Sequence, residues 1–162
     1  MVWRITDPEI GTQPIATTDT TQNHPLGKIV RASDGTNDGE FIYLKGVTST
    51  VVGSWVTYNL DDGGTTLTVA DAIGPVAVAM SINDATTDFG WYQISGKASA
   101  KALTGFLDNG NVYLTSTAGS IDDTDVAGDY VSNAKGASAV NETTFLADFE
   151  IERPFVRDGL DN

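Results

Sequence analysis

Cysteine is absent from this 162-residue chain, so it can hold no disulfide framework, no zinc–thiolate centre and no thiol nucleophile. Stability has to come from packing, and a single domain of this size removes roughly 68–70% of its unfolded surface from water. Basic residues are scarce as well, nine Lys and Arg against 22 Asp and Glu, for a net charge of −13. Such a surface repels phosphate backbones and anionic lipid, which argues against nucleic acid and membrane as partners. The single histidine, His24, stands in a polar stretch just before Pro25, and no G-x-S-x-G elbow occurs. A serine-hydrolase triad therefore has no support. No Walker loop, dinucleotide fingerprint or basic-aromatic patch occurs either. The longest apolar run, AIGPVAVAMSI, is too short and too interrupted to span a bilayer. The opening MVWRITDPEIG lacks the basic start and apolar core of a signal peptide, so export is expected by another route such as cell lysis.

What the chain does contain points to β-structure. Thr and Val are abundant beside 17 Gly, and the usual helix formers are few. Residues 1–25 are rich in Thr, Asn, Gln and Pro without periodicity and read as an extended N-terminal arm or surface-hugging segment. From residue 26 onward, short alternating runs are separated by Gly/Asp/Asn turns. In EFIYLKGV, Phe41 and Tyr43 alternate with Ile42 and Leu44, and in GSWVTYNL, Trp55 lies opposite Val56. GPVAVAMSI is apolar almost throughout, the pattern of a strand buried on both faces. FGWYQIS sends Trp91 and Gln93 one way and Tyr92 and Ile94 the other, with Gly90 and Gly96 bracketing it as bends. Beyond Gly96, Ala98, Ala100 and Ala102 share a face, which implies a close-packed opposing surface. In the last long run Phe145, Ala147, Phe149 and Ile151 alternate with Leu146, Asp148, Glu150 and Glu152. TVADAIG is the only stretch suggesting a helical turn. The expectation is an all-β chain, a compact β-barrel or sandwich of roughly ten short strands over residues 26–152, with a short C-terminal tail at 153–162.

Three kinds of chemistry have candidate residues. The acids fall mostly in turns (Asp34, Asp38, Asp61, Asp62, Asp122, Asp123, Asp125), where carboxylates are solvated rather than projected from rigid walls as a glycosidase pair requires. DGTNDGE imitates the start of an EF-hand loop through Asp34, Thr36 and Asp38, but its twelfth position is Lys45 and strands flank it. A tight turn explains the same residues, so calcium at Asp34/Asp38 or Asp122/Asp125 stays open, and no cofactor or catalytic residue is assigned. Trp55, Tyr58, Trp91, Tyr92 and Tyr113 are either a sugar-stacking platform or core; their placement in alternating strands favours core.

GEFIYLKGV, GPVAVAMS and FGWYQISGKASA, followed by AGDYV and the closing ADFEIERPFV, resemble the capsid decoration (cement) proteins of tailed bacteriophages. The resemblance spans about residues 27–156 and rests on strand and turn patterns. It implies a non-enzymatic, β-rich virion protein, found in the host cytoplasm before assembly and on the outer surface of the capsid afterwards. Its partners would be the major capsid protein and itself, as a homotrimer. The residues expected at shell or subunit contacts are Trp3, Arg4 and Ile5 in the arm and Arg153, Pro154, Phe155, Val156 and Arg157 in the tail, because Arg and aromatics are enriched at binding hot spots. The competing reading is a carbohydrate- or receptor-binding module of a phage head fibre or tail.

Overall fold

The computed structural model describes residues 2–6 and 14–157. Among them lie eleven strands and no helix: β1 (Arg4–Ile5), β2 (Ile29–Ser33), β3 (Asp38–Lys45), β4 (Trp55–Tyr58), β5 (Thr65–Leu67), β6 (Gly74–Ala79), β7 (Phe89–Lys101), β8 (Asn111–Leu114), β9 (Ile121–Asp122), β10 (Tyr130–Gly136) and β11 (Leu146–Val156). They form one antiparallel sheet in the order β1-β2-β3-β7-β6-β11-β10-β8-β9, with β4 attached to β5 and β6. The fold is therefore all-β and sandwich- or barrel-like, as the alternation predicts. The TVADAIG stretch forms turns, with Asp71 at φ 63°, rather than a helix.

The longest strand organises the rest. β7 pairs with β3 from Lys45↔Phe89 to Gly39↔Gly96, with β6 at Ala79↔Tyr92 and Val78↔Gln93, and with β11 from Glu152↔Ser95 to Leu146↔Lys101. Gly96 bends this strand without ending it. The partner of Glu40 is Ser95 while that of Phe41 is Gln93, so Ile94 is an extra residue and the strand kinks. Gly96 sits at φ 99°, and a Cβ there would run into the carbonyl oxygen of Asp38. Gly90 is not a bend: it pairs with Leu44, and a side chain on it would meet the Asn83 amide at 2.6 Å. Its hydrogen is required by close packing alone.

The bend lets one strand serve several cores. Tyr92 and Ile94 pack with Ile42, Leu44, Val56, Ala77 and Ala79. On the opposite face Trp91 joins Phe41, Tyr43, Val30, Ala32 and Ile15. Past the bend, Ala98, Ala100 and Ala102 enter the largest core with Trp55, Phe106 and Phe149. The alanines are small because Gly53 lies close over Ala100 and because Trp55 fills the space, its Nε1 donating to the Lys101 carbonyl at 3.0 Å and its ring edge-on to Phe149 at 5.0 Å. Val76, Ala77, Val78 and Ala79 of β6 are all fully buried, on alternating faces, as the apolar run implies.

The described arm residues lie along the body, and two later segments differ from the sequence pattern. Ile15 is buried, and the Asp19 and Phe89 backbones exchange hydrogen bonds at 2.8 Å in each direction. Phe145, read as the first core residue of the last strand, is 46% exposed at φ 56° in the turn that precedes β11. β11 also continues to Val156, through residues assigned to the tail. Arg153 at φ 49° breaks the alternation, yet Phe155 resumes pairing with Ser132 and Pro75. Pro154 does not end the strand because it falls within this irregularity, away from the ladder positions.

The kink in β7 predicts a test. Gly96→Ala should lower unfolding free energy by at least about 1–2 kcal/mol, the cost of a left-handed Ala before any clash is counted. Urea denaturation of the variant against the parent measures it, and equal midpoints would contradict the role given to Gly96.

Candidate binding surfaces

The aromatics weighed as a sugar platform lie inside the protein. Trp55, Trp91 and Tyr92 are fully buried, Tyr113 nearly so, and Tyr58 is half-buried against the Tyr92 cluster. His24 packs among aromatic rings. Its ring stands edge-on to Tyr43 at 5.0 Å and 5.4 Å from Trp91, where the returning arm crosses the sheet. The Tyr43 hydroxyl donates to Asp19 Oδ2 at 2.6 Å and accepts from the Asn23 N–H at 3.2 Å. These contacts fasten the arm to β3.

Four of the turn acids accept hydrogen bonds, three of them from backbone N–H groups. In the β2–β3 hairpin, Asp34 Oδ1 accepts from the Thr36 and Asn37 N–H groups at 2.8 and 2.7 Å. Those bonds, the Asn37 one foremost, hold its carboxyl below the ordinary value. Asp62 accepts from the Gly64 N–H at 2.8 Å, Asp123 from the Leu107 N–H at 2.9 Å, and Asp122 from the Thr124 hydroxyl at 2.8 Å. Among the described residues no three His, Asp or Glu side chains gather as a metal-binding group.

The contact residues expected from sequence divide by exposure. Trp3 is half-buried with its ring edge-on to Phe41 at 5.0 Å, Arg4 is exposed, and Ile5 is half-buried. Arg4 and Ile5 pair with Ser33 and Ala32 of the same chain. Pro154 and Val156 are buried and Phe155 is half-buried, while Arg153 and Arg157 are exposed. The Arg157 guanidinium lies 5.5 Å from the centroid of the Phe155 ring.

Register brings the two ends of the chain to one line. Arg31 pairs with Glu40, Glu40 with Ser95, and Ser95 with Glu152, so these four side chains share one face across four strands. The Ser95 hydroxyl donates to Glu152 Oε2 at 2.8 Å, and Arg153 reaches back over β7 to Glu40 at 2.8 Å. At the far side of Arg31, its carbonyl accepts from the Thr6 N–H of the arm at 2.9 Å. Ile29, two residues before Arg31 and on the same face, is 40% exposed. Tyr58 lies within the field of Arg153, which opposes the upward pull of burial on its phenol. The row thus carries Arg31, Arg153 and, beside Arg31, Ile29 on an otherwise acidic protein. Sequence reading found only Arg153 of this group, because the row exists through pairings between residues as far apart as Arg31 and Glu152.

Two buried phenols give a pH dependence. Burial first, and the bond to Asp19 second, push Tyr43 up to about 12, and burial pushes Tyr92 up to about 12, from an ordinary 10.0. A folded value above the unfolded one favours the protonated, folded form. The stabilisation is complete below pH 10 and is lost as pH rises towards 12. Urea midpoints should accordingly fall over that window. In Tyr43→Phe/Tyr92→Phe the fall should be smaller, and an equal slope in parent and variant would contradict the assignment.

No protein-family model, curated protein or solved structure matches the chain.

Proposed function

We propose that this chain is a structural virion protein that binds the exterior of a tailed-bacteriophage capsid and stabilises the expanded shell. The face carrying Arg31, Glu40, Ser95, Glu152 and Arg153 is turned towards the major capsid protein, and the chains associate as trimers. The observation that carries the reading is Arg153. Its left-handed backbone costs about 1–2 kcal/mol for a residue with a Cβ. The ion pair it makes with Glu40 joins side chains that are 56% and 27% exposed, and surface pairs of that kind contribute about 0–1 kcal/mol. The ion pair alone therefore does not offset that conformation, and strained backbone of this kind clusters at binding and switch sites.

The remaining features fit the same reading. A sheet face with two arginines and an exposed isoleucine offers charged and apolar groups to a protein partner, and Arg is enriched at contact hot spots. A net charge of −13 keeps copies soluble when many stand close together on a particle. Repetition over an oligomer multiplies modest contacts into firm attachment, and binding only the expanded shell stabilises it by mass action.

The test uses undecorated expanded capsids assembled from the major capsid protein of its own phage. The parent should co-sediment with them. Arg31→Glu/Arg153→Glu, with the parent's urea midpoint to within about 1 kcal/mol, should show occupancy reduced by at least about tenfold. Equal occupancy of parent and variant would rule out this face.

A further inference from the structure

Phe145 is the only exposed aromatic side chain among the described residues, at 46%. It stands in the turn before β11 at φ 56°, an unfavourable conformation for a residue of its bulk. The turn holds it there. Asn141 Oδ1 accepts from the Thr143 and Thr144 N–H groups at 2.9 and 3.1 Å, and the Phe145 N–H donates to the Asn141 carbonyl at 2.7 Å. On its other side the Phe145 carbonyl accepts from the Ala102 N–H at 3.0 Å. A rigid, exposed aromatic is the kind of group that anchors protein contacts, and strained backbone clusters at binding sites.

The same molecule carries a groove that such a ring fits. It has a volume of about 470 Å³ and runs over the outward face of β7, between the start of the arm, the β2–β3 turn and the β3–β4 loop. Val2, Trp3, Val52 and Met80 give it apolar walls, with Val2 and Val52 well exposed. Its charges set it apart from the rest of the surface. Asp34, Lys97 and Asp148 line it. Register continues the face through Lys101 beside Leu146 and Lys135 beside Glu150, and the Phe145 turn adds Glu142. That makes three cations to four acids, against nine to 22 in the whole chain. Lys97 pairs with Asp148 at 3.0 Å and Lys135 with Glu150 at 3.2 Å. Two copies of a chain with a net charge of −13 repel each other least across such a face, and its lysines can also meet a neighbour's carboxylates.

We propose that the occupant is a second copy of this chain, with Phe145 of one copy entering the groove of the next. The knob stands at the start of β11 and the groove on the face of β7, so each copy offers one to either neighbour. Head-to-tail contacts of this kind close into rings, and the trimer of the functional proposal is such a ring. The inference rests on that reading for the number of copies alone.

The experiment is sedimentation velocity of the full chain without capsids, over a range of concentrations. The parent should sediment as a trimer. Phe145→Asn should be monomeric, with each contact weakened by at least about thirtyfold. Its urea midpoint should stay at or above the parent's, because Asn tolerates the left-handed conformation. Val52→Arg, which blocks the groove at an exposed position, should be monomeric as well. Mixed together, the two variants should form a two-chain species, since one retains the groove and the other the knob. Should Val52→Arg fail to fold, Phe145→Asn alone decides. A monomeric parent overturns the proposal, as does association that either folded variant retains or a mixture that stays monomeric. A dimer lost in both variants supports the contact and corrects the number of copies. Capsid binding is read separately: a trimer that does not bind capsids leaves this contact standing and removes the capsid reading.

Discussion

Hydrogen bonding of β7 to β3, β6 and β11 is the constraint on which the other parts of the molecule depend. A strand that pairs with three others cannot be straight, because its partners occupy different stretches of its edges. The extra residue Ile94 and the left-handed Gly96 supply the bend. On one side of it the strand separates the Trp91 core from the Tyr92 core; on the other it delivers three alanines to the Trp55 core. Those alanines, in turn, allow Gly53 and Trp55 to approach. A side chain at Gly96 would push Asp38 away and with it the first residues of β3.

The same bend assembles the exterior. Ser95, immediately before Gly96, is the residue at which the β3 and β11 pairings meet, so Glu40 and Glu152 flank it on one face. From there Arg153 closes over β7 onto Glu40, and Arg31 extends the line towards the arm. A strained backbone at Arg153 is compatible with stability because the bulge opposite Asn133, itself at φ 61°, leaves no regular ladder to disrupt.

Much of this interior could be read from the chain. Opposed aromatic neighbours such as Trp91 and Tyr92, or Trp55 with Val56, state their faces by alternation alone, and the buried run of β6 states that it has none exposed. The arm was not legible because its anchors, Ile15, Asp19 and the Asn23 N–H, are single contacts with no period. Gly96 reads as a break because an isolated glycine has the same appearance in a turn and in a bulge. Phe145 follows the alternation of Ala147 and Phe149, but a turn stabilised by Asn141 takes it out of the strand. The exterior row is set by register between distant strands, which no local pattern encodes.

The capsid contact proposed above lies on the outer row, and the buried aromatics form the cores of the fold. Its most direct test is an image reconstruction of expanded capsids saturated with the protein, at a resolution that orients the sheet. The expected result is added density outside the shell, with the Arg31–Glu40–Ser95–Glu152 face and Arg153 directed at the major capsid protein. Capsids without added density, or density with that face turned to solvent and away from neighbouring subunits, would contradict it.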